Sequence, residues 1–146
     1  MNGLEIELKF LLEGPTNKDF LGNLKCIKPR TYQKTVMFDN DEQLMQKTNG
    51  RLRLRQTGQE VSLSYKKPLS SDIVKKEIEW ETKIDNWEVG EHLLEIMGFH
   101  KTTSYEKYRT SFHYKGIKLE IDEYPFATFI EIEGDEAEVK KAAVEL

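Results

Sequence analysis

Charged residues recur at every second position along several short stretches, and within a stretch they often carry one sign. Arg51, Arg53 and Arg55 alternate with Leu52 and Leu54; Glu77, Glu79 and Glu81 alternate with Ile78 and Trp80. Glu5, Glu7 and Lys9 alternate with Ile6, Leu8 and Phe10, and Glu131 and Glu133 with Ile130 and Ile132. Lys107 and Arg109 flank Tyr108, while Lys118, Glu120 and Asp122 alternate with Leu119 and Ile121. Successive side chains point to opposite faces of a strand, so each charged set shares one face. For any single strand, a solvated polar face is the ordinary reading. Such a face usually mixes signs and includes Thr, Ser and Gln, whereas here arginines and glutamates are segregated by strand. Like charges on one face repel and need partners. Guanidinium forks and ammonium groups suit a highly charged anion. Carboxylates are hard oxygen donors suited to a divalent cation. A closed barrel with the charged face inward and the apolar face outward would bring both sets together.

The elements that must position these side chains are mostly strands. Period-two alternation predicts about eight of them, over 4–12, 31–39, 51–57, 60–66, 74–82, 105–113, 117–123 and 128–133. Short connections with turns around Gly58, Lys115-Gly116 and Pro125 favour antiparallel pairing. Three helices are expected outside the sheet. Thr16 and Asp19 form a capping pattern before Phe20, Leu21 and Leu24. Asn86 caps a helix carrying Val89, Leu93, Ile96 and Met97 that stops at Gly98. A third opens at Asp135 and Glu138, with Val139, Ala142, Ala143 and Leu146 on one face.

Composition bounds the function. The 146 residues are 38% hydrophobic and 33% charged, with 22 basic and 26 acidic residues for a net charge of -4. That length suits one domain, and the acidic balance argues against a nucleic-acid partner. Mean hydropathy is -0.65, and no apolar run approaches the ~20 residues of a membrane span. The opening MNGLEIELKF carries glutamates where a secretory signal carries basic residues, and Cys26 has no second cysteine to bond. A cytoplasmic location is expected. His92, His100 and His113 lack metal-ligand spacing, and no phosphate-binding Gly-rich loop or nucleophile motif is present. Trp80 and Trp87 are expected in the apolar layer outside the sheet.

The same residues resemble the CYTH superfamily, the triphosphate tunnel metalloenzymes. Glu5-Ile6-Glu7-Leu8-Lys9 matches its ExExK signature, Leu52-Arg53-Leu54-Arg55 its LRxR strand and Tyr65-Lys66 its YK strand. Lys75, Glu77 and Glu79, then Lys107 and Arg109, then Asp122, then Phe129-Ile130-Glu131-Ile132-Glu133 follow in the family's order over about residues 4–134. Ala127 stands where Gly is usual and Met37 where Tyr is usual. The resemblance implies an α+β, mainly β fold: an eight-stranded antiparallel closed barrel with a charged lumen and helices outside. It implies a single CYTH-like domain over 1–146, without the further elements that members carry after the third helix.

It also implies roles. Glu5, Glu7, Asp122, Glu131 and Glu133 would be metal ligands for Mg²⁺ or Mn²⁺. Lys9, Arg53, Arg55, Lys66, Lys107 and Arg109 would grip the triphosphate. Lys9, Glu77 and Glu79 are the candidate catalytic residues, the two glutamates binding metal or orienting basic side chains. Arg51, Glu81, Lys118 and Glu120 are expected toward the tunnel mouths. The stretch Leu93–Phe99 with Lys107-x-Arg109 resembles the class IV adenylate cyclase subgroup, implying conversion of ATP to cyclic AMP and pyrophosphate. The alternatives are a triphosphatase acting on thiamine triphosphate, inorganic tripolyphosphate or a nucleotide, and a non-catalytic polyphosphate- or nucleotide-binding module. The expected partner is a triphosphate-bearing small molecule, not nucleic acid or membrane; a homodimer is compatible with this reading.

Overall fold

The computed structural model describes residues 3–12, 24–69 and 74–145, so the helix expected from Thr16 lies outside the described residues. The strands are β1 (Gly3–Leu12), β2 (Lys25–Asn40), β3 (Arg51–Thr57), β4 (Glu60–Pro68), β5 (Lys75–Ile84), β6 (Phe99–Tyr114), β7 (Ile117–Glu123) and β8 (Thr128–Glu133). The helices are α1 (Leu44–Thr48), α2 (Trp87–Ile96) and α3 (Glu136–Glu145). The strand order β1-β5-β4-β3-β2-β6-β7-β8 closes on itself as an eight-stranded barrel, as the family resemblance implied. The pairs β2–β3, β3–β4, β4–β5, β6–β7, β7–β8 and β8–β1 are antiparallel in register.

All the expected strands form, but β2 and β6 are longer than expected, at 16 residues each. Their added segments, Lys25–Pro29 and His100–Ser104, are exposed along their length. A strand wet on both faces has no apolar alternation to reveal it. The short helix α1 was not expected either. Five residues are too few to show helical periodicity, and side chains upstream hold it instead. Asp39 Oδ1 accepts from the backbone N–H of Asn40 and Met45 at 2.8 and 2.9 Å, Asp39 Oδ2 from that of Gln46 at 3.1 Å, and Asn40 Oδ1 from that of Leu44 at 2.9 Å. These bonds satisfy N–H groups that a helix start leaves without intrahelical partners.

The chain divides into two compact units. In one, β2 from Gln33, β3, β4, β5 from Glu77, α1, α2 and β6 as far as Glu106 pack together. Its core joins Val36, Phe38 and Leu54 to Leu94 of α2, flanked by Leu52, Leu63, Ile84, Trp87 and Phe99. The Asn86 side chain accepts from the Val89 N–H at 3.1 Å and caps α2 as expected. Gly98, at φ +91, supplies the left-handed exit that ends the helix. Trp87 lies in this layer, as expected, but Trp80 is 58% exposed. The other unit holds β1 from Glu5, β6 from Lys107, β7, β8 and α3. Leu8, Phe112, Leu119, Ile121, Ile130 and Ile132 pack there with Val139 and Ala142 of α3. On β1, Leu8 is buried and Ile6 half-buried, while Phe10 is 41% exposed.

Leu119 has no solvent exposure. Leu119→Ala should cost about 2–5 kcal/mol in a urea melt, the cost of lost transfer energy plus a cavity.

Candidate active site: two charged clusters

In the first unit, the alternating residues of β3, β4 and β5 share a face, and the ladder decides which charges meet. Lys66 lies opposite Glu79, and their side chains pair at 3.0 Å. Arg53 lies opposite Ser64 and donates from Nε to Ser64 Oγ at 2.8 Å. Its terminal nitrogen stands 3.9 Å from Glu79. Arg55 lies opposite Thr35 of β2, donates from Nε to Thr35 Oγ1 at 2.9 Å, and reaches Tyr105 Oη of β6 at 3.1 Å. Arg51 pairs with Glu77. Arg53 and Arg55 are only 8% and 7% exposed, and Lys66, Glu77 and Glu79 are also buried. Gln33 shares this strand face with Thr35; it is buried, and its Oε1 has no hydrogen-bond partner. A groove of about 300 Å³ is lined by Leu52, Leu63, Tyr65, Trp80 and Thr82 together with Ser64 and Glu81, and by none of the candidate catalytic, metal or phosphate-binding residues.

In the second unit, Arg109 is the hub. It lies opposite Asp122 and donates to both carboxylate oxygens at 2.7 Å. It also pairs with Glu120 at 3.1 Å and Glu131 at 3.4 Å. Lys107 donates to Asp122 at 2.8 Å. Lys9 lies opposite Glu131 and pairs with it at 3.1 Å, while Ser111 Oγ donates to Glu120 at 3.2 Å. Burial alone would raise the Asp122 pKa, but the Arg109 hydrogen bonds and the charges of Arg109 and Lys107 hold it down to about 2. Burial likewise pushes the Glu131 pKa up, and Arg109 and Lys9 outweigh it, so its carboxyl stays below the usual range. Burial works against the Arg109 charge, yet its carboxylate partners raise its pKa well above the ordinary value. Asp122, Glu131 and Arg109 are therefore ionised throughout the neutral range.

The candidate metal ligands divide here. Asp122, expected among them, has both oxygens engaged by Lys107 and Arg109. Glu5 and Glu7 are buried on β1, and Glu7 lies directly opposite Glu133 of β8, as Glu120 lies opposite Glu131. Like charges placed opposite each other across a ladder are unfavourable, and a cation between them relieves this. The donors are hard oxygens, the chemistry that Mg²⁺ and Mn²⁺ take. Among the described residues no three carboxylate, His or Cys groups already converge as a metal site.

Sequence reasoning placed Glu120 toward an end of the barrel; it is 3% exposed and paired with Arg109 instead. Thr35, Ser64, Tyr105 and Ser111 were not singled out. Strand parity puts each on a charged face, but a hydroxyl in a polar stripe carries no signal of its own until the register supplies its arginine or glutamate. His92 and His100 are exposed and lie near Glu95 and Asp41, and neither belongs to either cluster.

The CYTH domain family model matches residues 3–146. The chain therefore belongs to the CYTH domain family, whose members bind triphosphates and are metal-dependent in general. Solved structures share the fold. A candidate adenylate cyclase from Vibrio parahaemolyticus superposes with a TM-score of 0.76 at 17% identity, covering 97% of this chain and 83% of that one. A Pyrococcus horikoshii protein gives 0.77 at 23% identity, covering 97% and 85%. A candidate adenylyl cyclase from Hippeastrum in which triphosphatase activity is dominant gives 0.75 at 21% identity, covering 97% and 84%. No curated protein matches. Among the described residues no helix is long and apolar enough to cross a membrane.

Because the Asp122 pKa is depressed from 3.8 to about 2, its ionised form contributes stability above pH 4 that is lost as pH falls through 2. The contribution is about 2 kcal/mol by linkage. Asp122→Asn should lower stability at pH 7 by about 3–5 kcal/mol, because it leaves Lys107 and Arg109 short of a buried partner. It should also flatten the loss of stability between pH 4 and 2. Urea melts of both proteins across that range measure both effects.

Proposed function

We propose that this chain is a divalent-metal-dependent enzyme acting on a triphosphate-bearing small molecule, and that hydrolysis is its reaction. The carrying observation is the burial of Arg53, Arg55, Lys66 and Lys107 on strand faces whose parity also carries the glutamates. A buried ion pair is weak grounds for stability, since its desolvation cost rivals its attraction. So many in one small domain make sense where a charged ligand uses them.

Each cluster carries groups suited to one component of such chemistry. Arg53 and Arg55 are aimed by the neutral hydroxyls of Ser64, Thr35 and Tyr105. That fixes each guanidinium and suits it to phosphate oxygens, with Lys66 as a point charge beside them. Glu77 and Glu79 orient Arg51, Lys66 and Arg53. In the other cluster Glu5, Glu7, Glu131 and Glu133 would hold Mg²⁺ or Mn²⁺. Lys9, Lys107 and Arg109 contribute positive charge next to those carboxylates, and Asp122 positions Lys107 and Arg109. When bound, the metal supplies electrophilic stabilisation of phosphoryl oxygens. The chain's cations neutralise the rest and align the chain of phosphates, which is most of what phosphoryl transfer asks of a protein. Water attacks the terminal phosphorus, the bond to the bridging oxygen breaks, and a diphosphate leaves.

Cyclisation of ATP is the second reading, favoured by the stretch Leu93–Phe99. In the structure that stretch closes α2 and starts β6, with Leu94 and Phe99 in the apolar core. It thus has a packing role that serves either reaction. Hydrolysis asks for less, since it needs no ribose placed for attack. The Hippeastrum neighbour, of similar fold, is also described by its triphosphatase activity.

The test is product analysis with ATP, thiamine triphosphate and tripolyphosphate, each with Mg²⁺, Mn²⁺ or chelator. Metal-dependent release of orthophosphate is expected, with Arg53→Ala slower by about 10²-fold. Glu133→Gln should lose the metal dependence while its circular dichroism stays that of the wild type. Cyclic AMP with pyrophosphate would favour the second reading. Binding without turnover of any of the three would reduce the protein to a sensor of triphosphates.

A further inference from the structure

The β7–β8 hairpin carries three aromatic residues that the triphosphate chemistry does not use. The loop is closed by the Tyr124 N–H donating to the Ala127 carbonyl at 2.8 Å. Tyr124 and Phe126 stack at 5.3 Å between ring centroids with a 30° tilt. Tyr124 and Phe129 meet edge to face at 5.7 Å. Phe126 is 78% exposed. A single exposed phenylalanine would need no explanation, but this ring is held against a second one on a short turn.

What gives the trio meaning is the face it occupies. Phe129 has the parity of Glu131 and lies opposite Asp122. The Lys9 ammonium sits 5.5 Å from the Phe129 ring centroid, and that of Lys107 5.4 Å from the Tyr124 centroid. Both distances are within cation–π range. These lysines are the ones paired with Glu131 and Asp122. The aromatic trio therefore adjoins the charged face of this unit at its hairpin end.

We propose that Tyr124, Phe126 and Phe129 form a stacking subsite for a planar heteroaromatic ring carried by the triphosphate. The substrate class is then an organic triphosphate, a nucleotide or a thiazolium- or pyrimidine-bearing one, and not inorganic tripolyphosphate. The inference rests on the triphosphate reading above. Phosphates held by the cations next to the rings place the attached group over Phe126, where stacking tolerates different rings because each has a π-face.

The experiment measures dissociation constants for ATP, thiamine triphosphate and tripolyphosphate without added metal, using the full chain and its Phe126→Ala and Phe126→Tyr variants. Phe126→Ala should weaken at least one ring-bearing ligand by roughly five- to tenfold, at the lower end of base–aromatic stacking. Tripolyphosphate affinity should stay within about twofold, the reading of an intact anion site. Phe126→Tyr should restore the loss. Comparing each variant with the wild type on the same ligand removes the charge difference between ligands, and the ligand that loses affinity names the ring. An unchanged affinity for both ring-bearing ligands, or an equal loss on tripolyphosphate, overturns the stacking subsite while leaving the anion site standing. Failure of the wild type to bind any of the three overturns both readings.

Discussion

Everything in this fold turns on burying charge along strands whose side chains alternate with period two. The apolar positions of β3, β7 and β8 must reach a core, so the intervening positions are committed to the other face whatever their charge. Arginines and glutamates on that face are then largely removed from water. The cost is met only where the ladder brings opposite charges or hydroxyls into reach. Arg109 against Asp122, Lys9 against Glu131 and Lys66 against Glu79 are directly opposed in register, and each pair closes to about hydrogen-bond distance. A slip of one residue would turn Leu54 and Leu119, both fully buried, onto the charged face and strand the guanidiniums among apolar side chains. Core and site therefore specify the same register, and neither could be altered independently.

The parity argument carried most of what was legible beforehand. It separated Arg53 and Arg55 from Leu54, and Glu131 from Ile130 and Ile132, and it needed no tertiary information. It could not say which neighbour each charge would meet, because that depends on strand order. Asp122 shows the difference. Its type and parity fit a metal ligand, yet it faces Arg109 and also receives Lys107, a partnership across 15 and 13 residues of sequence. Glu120 was misplaced for the same reason. It was one of the charges to which the resemblance gave no role, whereas the register of β6 against β7 puts it beside Ser111 and Arg109. Trp80 failed differently. Apolar parity establishes the face a side chain takes but not that anything covers it, and Trp80 stands largely in solvent.

The two clusters also differ in what holds their cations, and that difference has an energetic consequence. Arg53 and Arg55 donate to the hydroxyls of Ser64, Thr35 and Tyr105, and Arg53 also stands 3.9 Å from Glu79. Arg109 and Lys107 are braced by carboxylates, which orient and neutralise together. An anion approaching Arg53 meets a Glu79 pairing no closer than 3.9 Å. An anion approaching the second must compete with Asp122, whose low pKa measures how firmly it is held. The second cluster instead carries opposed carboxylates at Glu7 with Glu133 and Glu120 with Glu131, for which a cation is the natural complement. A ligand that binds only the folded chain stabilises it in proportion to the logarithm of its saturation. Each cluster is thus poised to gain stability from a ligand of opposite sign, the basic one from phosphate and the acidic one from metal.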